Sequence, residues 1–480
     1  MLKENFKTFL LLTILIQIYR FFVLLNAQID LYVDEAYYWG WSQHLDFGYY
    51  SKPPMIAWVI ALFTSICGES EICIKLPALI LYPITSIFVY LTAKELFDER
   101  TAFWSGVAFL TLPAVSLGSL IVSTDMVLLL FWSMALYFFI KAINSDKNLY
   151  WGLAAVAAGG GLLSKYTMII FLLGVFCFLA LDPRYRRHLK NPKLYLTILV
   201  AAIIYFPNLV WNAAHQYISF VHTKQISGIE SGSHFHIGKM LEFLGAQFVV
   251  FGPIFFGVFL WLLWKRPKST PYKLLLCFSA PFLAIITLQA FLSKALANWA
   301  APTYVAATVL VAAYLLYRKK TKLLIAGIAL NILLALSFYH YHAIAQLLGV
   351  QLTAKNDPYK RVRGYKELAK KLKPLIQRYP HAHLLFDDRT TMAEMIYYLR
   401  PHPFDAVMFN PSHQPKSQYH LFTDLNDHLG EDFLYVTASP TNKAAPYFDR
   451  AQKIGTIHIP LYPGYERVYH LYLLQGFRGY

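Results

Sequence analysis

The sequence predicts a polytopic α-helical membrane protein of about 11–13 transmembrane helices, followed by an extramembrane α/β domain. Three observations carry that prediction. Of the 480 residues, 57% are hydrophobic and only 15% are charged, a balance that a soluble chain of this length does not need for its core. Apolar runs near twenty residues, the length that crosses a bilayer as a helix, recur through the first 340 or so positions. From about Lys355 the hydrophobicity turns intermittent, with Pro and His interspersed. The expected division is therefore a membrane-spanning domain over 1–345 and an external α/β domain over 355–480.

The first apolar run, 8–27, opens like a signal sequence, with Lys3 and Lys7 ahead of it. Arg20 interrupts it and no small-residue cleavage site follows, so it reads as a retained helix. Ten further spans are expected at 76–96, 102–122, 124–142, 148–163, 166–181, 194–212, 243–264, 272–292, 299–317 and 323–342. A half-length apolar piece, 55–67, follows Pro53 and Pro54 and reads as re-entrant or interfacial. With the N-terminus cytoplasmic, nineteen Lys and Arg fall in connections on that side and six on the other, so the count favours this orientation. The formal net charge of +16 then reports topology; its short basic clusters lie between apolar segments and do not point to nucleic acid. An odd number of spans puts the C-terminal domain outside.

The four cysteines form no metal-ligand spacing. Cys177 and Cys277 fall inside apolar runs and read as inert, whereas Cys67 and Cys73 lie close together in an external connection where a disulfide can form. The polar stretch from His215 to Glu242 contains SGIESGSHFHIG, whose Gly and Ser suit a lid that orders over substrate. His234 and His236 within it lack nearby acids or Cys, and a metal reading is not favoured. In the last 125 residues or so, HLLFDD, DFLYV, KIGTIHI and RVYHLYLL read as strands and TTMAEMIYYL as helix. No phosphate loop or nucleophile motif stands out there, and acceptor binding or structural cover is the expected role.

Chemistry concentrates in the first external connection, DLYVDEAYYWGWSQHLDFGYYSKPPMIAW, residues 30–58. It carries Asp34 and Glu35 side by side, Asp46, Lys52 before the two prolines, and the aromatic residues Tyr37, Tyr38, Trp39, Tyr49 and Tyr50. Aromatic faces, acids and an ammonium suit a sugar and a phosphate at a membrane surface. An interfacial aromatic belt is the bland alternative. Asp34 is the candidate general base, taking a proton from an acceptor oxygen as it attacks an anomeric carbon. Lys52, Lys165 and Arg20 are the candidate cations for a lipid phosphate leaving group. An Arg inside a span is costly and suggests function, against which stands snorkelling to the interface. Asp125, in STDMVLLLFW, is a candidate site acid or a helix N-cap. Lys165 (in GGGLLSKYT), Lys294 and Asn298 (in SKALANW) fall on the same external side, the two lysines as site cations or helix-end anchors. Glu35, Tyr37, Tyr38, Tyr49, Tyr50, Lys294 and Asn298 form the expected substrate-binding set, with no metal ligand among them.

The stretches DEAYYWGWSQHLDFGYYSKPP, STDMVLLLFW, GGGLLSKYT and ANWAAPTY, in that order, resemble the GT-C lipid-linked sugar transferases. That group includes the aminoarabinose transferases acting on lipid A and the dolichyl-phosphate-mannose protein mannosyltransferases, and the likeness covers roughly 1–340. It implies a GT-C-like fold and an enzyme of the bacterial inner membrane. By it, one sugar moves from an undecaprenyl monophosphate donor to lipid A or the lipopolysaccharide core on the periplasmic side, with inversion. It further implies Asp34 as the essential carboxylate, Asp125 as the second loop acid and Lys52 as the lysine before the prolines. The aminoarabinose enzymes usually place Glu before that lysine; here the position is Ser51, so a neutral or acidic sugar such as a hexose or galacturonic acid is at least as fitting a donor as aminoarabinose. No cofactor is required on this reading, although a divalent metal is compatible with it, and a monomer is expected. The alternatives are a protein O-mannosyltransferase, which needs the same base, and a transporter of lipid-linked sugars, which would carry repeats and midplane polar groups instead of polar groups gathered at one face.

Overall fold

The computed structural model describes residues 3–27, 29–228 and 235–480. In chain order its helices begin with α1 (Phe6–Asn26), α2 (Val33–Ser42), α3 (Met55–Cys67), α4 (Glu71–Leu96), α5 (Glu99–Thr111), α6 (Pro113–Gly118), α7 (Thr124–Ser145) and α8 (Asn148–Ser164). They continue with α9 (Ile170–Leu181), α10 (Pro192–Ala214), α11 (Ile218–Ser227), α12 (Ile237–Val250), α13 (Pro253–Lys265), α14 (Thr270–Cys277), α15 (Ala280–Leu292), α16 (Thr303–Tyr317) and α17 (Thr321–Tyr339). Then come α18 (Tyr341–Leu347), α19 (Tyr365–Arg378), α20 (Arg389–Tyr398) and α21 (Tyr419–Phe422), with five strands among the last 100 or so residues.

Every expected span is helical, but not every one is a single rod. Among the described residues six helical segments are long and apolar enough to cross a membrane: α1, α4, α7, α10, Thr270–Leu292 and α17. The span expected over 102–122 is broken between α5 and α6, because Pro113 keeps Leu112 in extended backbone (ψ 136°). The span expected over 243–264 breaks between α12 and α13 at Gly252, whose φ of +92° is glycine territory, with Pro253 opening the next helix. The half-length piece is α3, 13 residues long and tied by a Cys67–Cys73 disulfide to the start of α4. The stretch expected to be a loose lid is largely helical where it is described, as α11 and the start of α12. Its residues 229–234, with His234, lie outside the described residues, and His236 uses its backbone N–H to bond Phe291 O.

The chain forms two compact units. The first is Met1–Asn26, Asp46–Gly48 and Lys52–Tyr341; the second is Ala27–Leu45, Tyr49–Ser51 and His342–Tyr480. Composition changes near Lys355, whereas the second unit also takes in most of the connection 30–58. In the first unit, α8 packs closely on α7 and α10. A Cβ on Gly160 would overlap the Phe131 ring, and one on Gly159 would overlap Ile204, so the glycines of GGGLLSK let these helices approach.

The second unit is built on a five-stranded sheet of order β2-β1-β3-β5-β4. The strands are β1 (His383–Phe386), β2 (Val407–Met408), β3 (Phe433–Thr437), β4 (Phe448–Tyr462) and β5 (Tyr465–Phe477), and they coincide with the four predicted strand segments plus the short β2. β1 runs parallel to both β2 and β3, and β5 is antiparallel to β3 and β4. Buried Leu385, Phe433, Tyr435, Leu474 and Phe477 fill its core. Helix α20 leaves the carboxyl end of β1 and packs against α2 from the connection 30–58. The predicted helix TTMAEMIYYL is α20.

Candidate functional site

In the second unit the site is assembled at the carboxyl end of β1. Because β2 and β3 flank β1 on opposite sides, this is where the order of parallel strands reverses, the position at which open α/β sheets leave a crevice. The three residues that follow the strand each have a separate task. Asp387 accepts hydrogen bonds from Tyr435 Oη (2.8 Å) and Thr437 Oγ1 (2.9 Å) of β3. Asp388 is the N-cap of α20, accepting from Thr391 N at 2.8 Å. Arg389, now in the first turn of that helix, sends Nη1 to Asp34 Oδ1 at 3.0 Å and lies 4.8 Å over the Tyr37 ring.

Asp34 sits in the first turn of α2, where the helix dipole favours a carboxylate. Its side chain is 35% exposed and that of Arg389 is 38%, so the pair is half-open to solvent. Burial pulls the Arg389 pKa down, but Asp34, Tyr37 and Tyr38 outweigh it and hold the guanidinium above its usual value. Arg389 is therefore a fixed cation that steadies one carboxylate oxygen of Asp34. Residue-type reasoning missed Arg389; the DDR that ends HLLFDD and opens a helix is a strand-to-helix signal, but its partner lies 355 positions away.

The neighbours of Asp34 are mostly spent on packing. Glu35 is fully buried and its Oε2 accepts from Tyr32 N at 2.9 Å, closing a capping box on α2. Tyr37 stacks under Arg389 and its hydroxyl accepts from Gln418 N. Tyr49 lies flat on Trp41 (4.5 Å, 6°) and donates to Trp41 O and His44 O. Tyr50 donates to Pro415 O, and Tyr38 packs on Trp41. All four tyrosines are at most 5% exposed. Glu35, Tyr37, Tyr38, Tyr49 and Tyr50, the expected substrate-binding set of this connection, are thus buried side chains that shape and rigidify the helix carrying Asp34.

The first unit holds a second cluster. Asp125 lies in the first turn of α7 and Lys165 is the C-cap of α8; because α7 and α8 run antiparallel and close-packed, the two meet, Nζ to Oδ1 at 2.6 Å. Asn298 Nδ2 donates to the other oxygen, Oδ2, also at 2.6 Å. The side chains are 16% and 10% exposed, a nearly buried ion pair. Ser123, not Asp125, occupies the N-cap position of α7. Three residues chosen from separate stretches are thus joined. Lys294 is exposed, two residues past the end of α15, and is not part of this cluster. Lys52 is half-buried at the head of the Pro53–Pro54 turn.

Arg20 does not snorkel to the interface. It is buried: Nη2 donates to Leu110 O (2.6 Å) and Ser116 Oγ (2.9 Å), and Nη1 to Ser119 Oγ (3.1 Å). Leu110 O is one of the carbonyls left without a helical partner where α5 ends, so Arg20 satisfies the break created by Pro113. Asp46 is likewise structural, accepting from Trp211 Nε1 at 2.6 Å.

Comparison with known proteins agrees with this architecture. Residues 51–211 match the family described as dolichyl-phosphate-mannose-protein mannosyltransferase. The lipid A galacturonosyltransferase RgtD of Rhizobium johnstonii is 35% identical over 400 residues, 81% of this chain and 82% of that one. The lipopolysaccharide core galacturonosyltransferase RgtA of the same organism is 30% identical over 222 residues, 45% of this chain and 44% of that one. Among solved structures, ArnT from Cupriavidus metallidurans bound to undecaprenyl phosphate superposes with a TM-score of 0.68 at 15% identity, over 97% of both chains.

Proposed function

Since the chain belongs to the GT-C polyprenyl-phosphate-sugar glycosyltransferases, and is a multi-pass membrane enzyme, we propose that it moves one galacturonosyl residue from a polyprenyl monophosphate, undecaprenyl phosphate being the expected carrier, to lipid A. The observation that carries the choice of sugar and acceptor is the 35% identity to a lipid A galacturonosyltransferase over four-fifths of both chains. Ser51 supports it: an acidic sugar does not need the carboxylate that the aminoarabinose enzymes place before the lysine. The count of basic residues supports a periplasmic site, with the N-terminus cytoplasmic and the second unit outside.

The reaction is a single displacement. An acceptor oxygen attacks the anomeric carbon from the face opposite the polyprenyl phosphate, the new C–O bond forms as the bond to the phosphate oxygen breaks, and configuration inverts. Asp34 takes the proton from the acceptor hydroxyl. Arg389 holds Oδ1 at 3.0 Å, so that Oδ2 is the oxygen left to take the proton. The phosphate departs carrying the bonding electron pair, and its charge is met by ammonium groups, for which Lys52 and Lys165 are the candidates. Asp125 and Asn298 hold Lys165 in place and do not act as acid or base. The chain's own cations make an obligatory metal unnecessary for this step.

The test is mass spectrometry of lipid A and core from a host lacking the gene and complemented with wild type or Asp34→Asn. Expected is a mass increment of one galacturonosyl residue, present only with wild type. An increment on the core, or on glycoprotein instead of lipid, would replace the acceptor; the protein outcome would favour the reading given by the mannosyltransferase family match. Normal modification by Asp34→Asn would remove Asp34 as the base.

A further inference from the structure

At the opposite end of β1 from Arg389, three potential metal-binding side chains converge. His383 opens β1, and His428 and Glu431 lie in the turn before β3; one ligand atom from each falls within 4.8 Å of the others. His383 Nε2 is 3.4 Å from Glu431 Oε2, and His428 Nδ1 is 2.7 Å from the same oxygen. A tetrahedral zinc with bonds of about 2.0–2.1 Å keeps neighbouring ligand atoms about 3.4 Å apart, the spacing of His383 from Glu431 here, and His428 stands under an ångström closer to Glu431 than that.

The surroundings are those of a metal site. The other ring nitrogen of His383, Nδ1, is 2.9 Å from Asp405 Oδ2, the carboxylate–imidazole arrangement that fixes the tautomer and leaves Nε2 with a lone pair aimed at the metal. The backbone is pinned on every side. His383 N bonds Asp432 O, Phe477 N bonds Glu431 O, and Gly430 N bonds Phe477 O. The ligand-bearing segments, β1 and the pre-β3 turn, are therefore prearranged against each other and the end of β5, which lowers the ordering cost of binding. The three side chains are 28–43% exposed, enough for an ion to reach them and for water to complete the coordination.

We propose that His383 Nε2, His428 Nδ1 and the Glu431 carboxylate bind one zinc ion, with water in the fourth position and Asp405 orienting His383. Two imidazoles and a carboxylate select zinc over magnesium or calcium, which take oxygen ligands. The ion clips the pre-β3 turn to β1 and stabilises the second unit; it takes no part in sugar transfer, and the proposal does not rest on the function given above.

The experiment uses the full chain purified in detergent, stripped with EDTA and dialysed. Zinc titration with elemental analysis is expected to give one bound zinc per chain at micromolar or tighter affinity, with magnesium unable to compete, and the melting temperature is expected to rise with added zinc. Cobalt in its place is expected to give the visible absorption of a tetrahedral site. His428→Ala and Glu431→Gln lose the site, whereas Asp405→Asn, which removes no ligand, weakens zinc 10–100-fold. Transfer activity of His428→Ala stays near wild type. Absence of stoichiometric zinc in the wild-type chain, or equal zinc binding by the His383→Ala/His428→Ala double variant, overturns the proposal without touching the glycosyltransferase reading.

Discussion

Removing the charge of Asp125 tests whether the cluster with Lys165 and Asn298 is a working cation or only a helix clamp. In Asp125→Asn the new amide oxygen can still accept from Asn298, but Lys165 keeps its charge at 16% exposure with its counter-ion gone. Two unit charges about 4 Å apart at an effective dielectric near 20 interact by about 4 kcal/mol, and breaking a buried pair from one side costs about 3–5 kcal/mol. With the pair not wholly sealed, we expect a loss of about 3 kcal/mol, a fall in melting temperature of roughly 6 °C at about 2 °C per kcal/mol. Lys165→Met leaves Asp125 charged and bonded only to Asn298, with a similar loss. The double variant Asp125→Asn/Lys165→Met removes both charges and is expected to lose only about 1 kcal/mol, against about 6 if the two single losses added, a coupling energy of about 5 kcal/mol. The assay is thermal unfolding in detergent at fixed scan rate, run beside transfer from a lipid-phosphate donor. All three variants are expected to lose transfer by at least about 100-fold, because the double variant restores the fold without restoring the cation. Additive stability losses would show that the pair contributes nothing. A double variant that transfers normally would refute Lys165 as a phosphate ligand.

Arg389→Ala is expected to cost the second unit about 1–2 kcal/mol, from a half-exposed ion pair and a cation–π contact, and to lower kcat 10–100-fold with little change in donor KM. Arg389→Lys is expected to restore stability more than rate, since an ammonium lacks the planar fork; a kcat within twofold of wild type for Arg389→Ala would remove Arg389 as the positioning group. Arg20→Leu leaves Leu110 O and the Ser116 and Ser119 hydroxyls without their donor, and is expected to cost about 2–4 kcal/mol in a melt while surviving molecules transfer normally. Loss of transfer by a stably folded Arg20→Leu would return Arg20 to the site. Burial beside Lys416 depresses the His420 pKa to about 4. The unfolded chain therefore binds the extra proton between about pH 6.5 and 4, and the stability held above pH 6.5 is lost as pH falls through that window. Discounted for partial exposure, the loss is about 2 kcal/mol. Melts of His420→Asn are expected to lack that slope; an unchanged slope would assign it elsewhere.

Much of the membrane unit was legible because its signals are local. Apolar length sets a span and alternating basic loops set an expected orientation, each from neighbours in the chain; the breaks at Pro113 and Gly252–Pro253 inside two of those spans were not anticipated. The strands of the second unit were legible for the same reason, as short apolar runs bounded by turn residues. The candidate acid of the first connection was visible as a charge among aromatic residues, but which aromatic rings would stay exposed was not. Tyr37, Tyr49 and Tyr50 look alike on paper whether they stack on a sugar or on Arg389, Trp41 and the Pro415–Gln418 turn.

The sequence by itself determined the class of the protein and the approximate position of its spans, and it singled out Asp34 as the candidate base. Only the tertiary structure decided what each charge faces. Arg20 turns inward to a helix break 90 residues away, Lys165 meets Asp125 across 40 residues, Asn298 reaches Asp125 across 173, and Arg389 reaches Asp34 across 355. The reason is that periodicity and propensity act over a few residues and fix backbone conformation, whereas the partner of a long flexible cation is chosen by whichever unsatisfied oxygen the packing of distant elements leaves within about 3 Å of it.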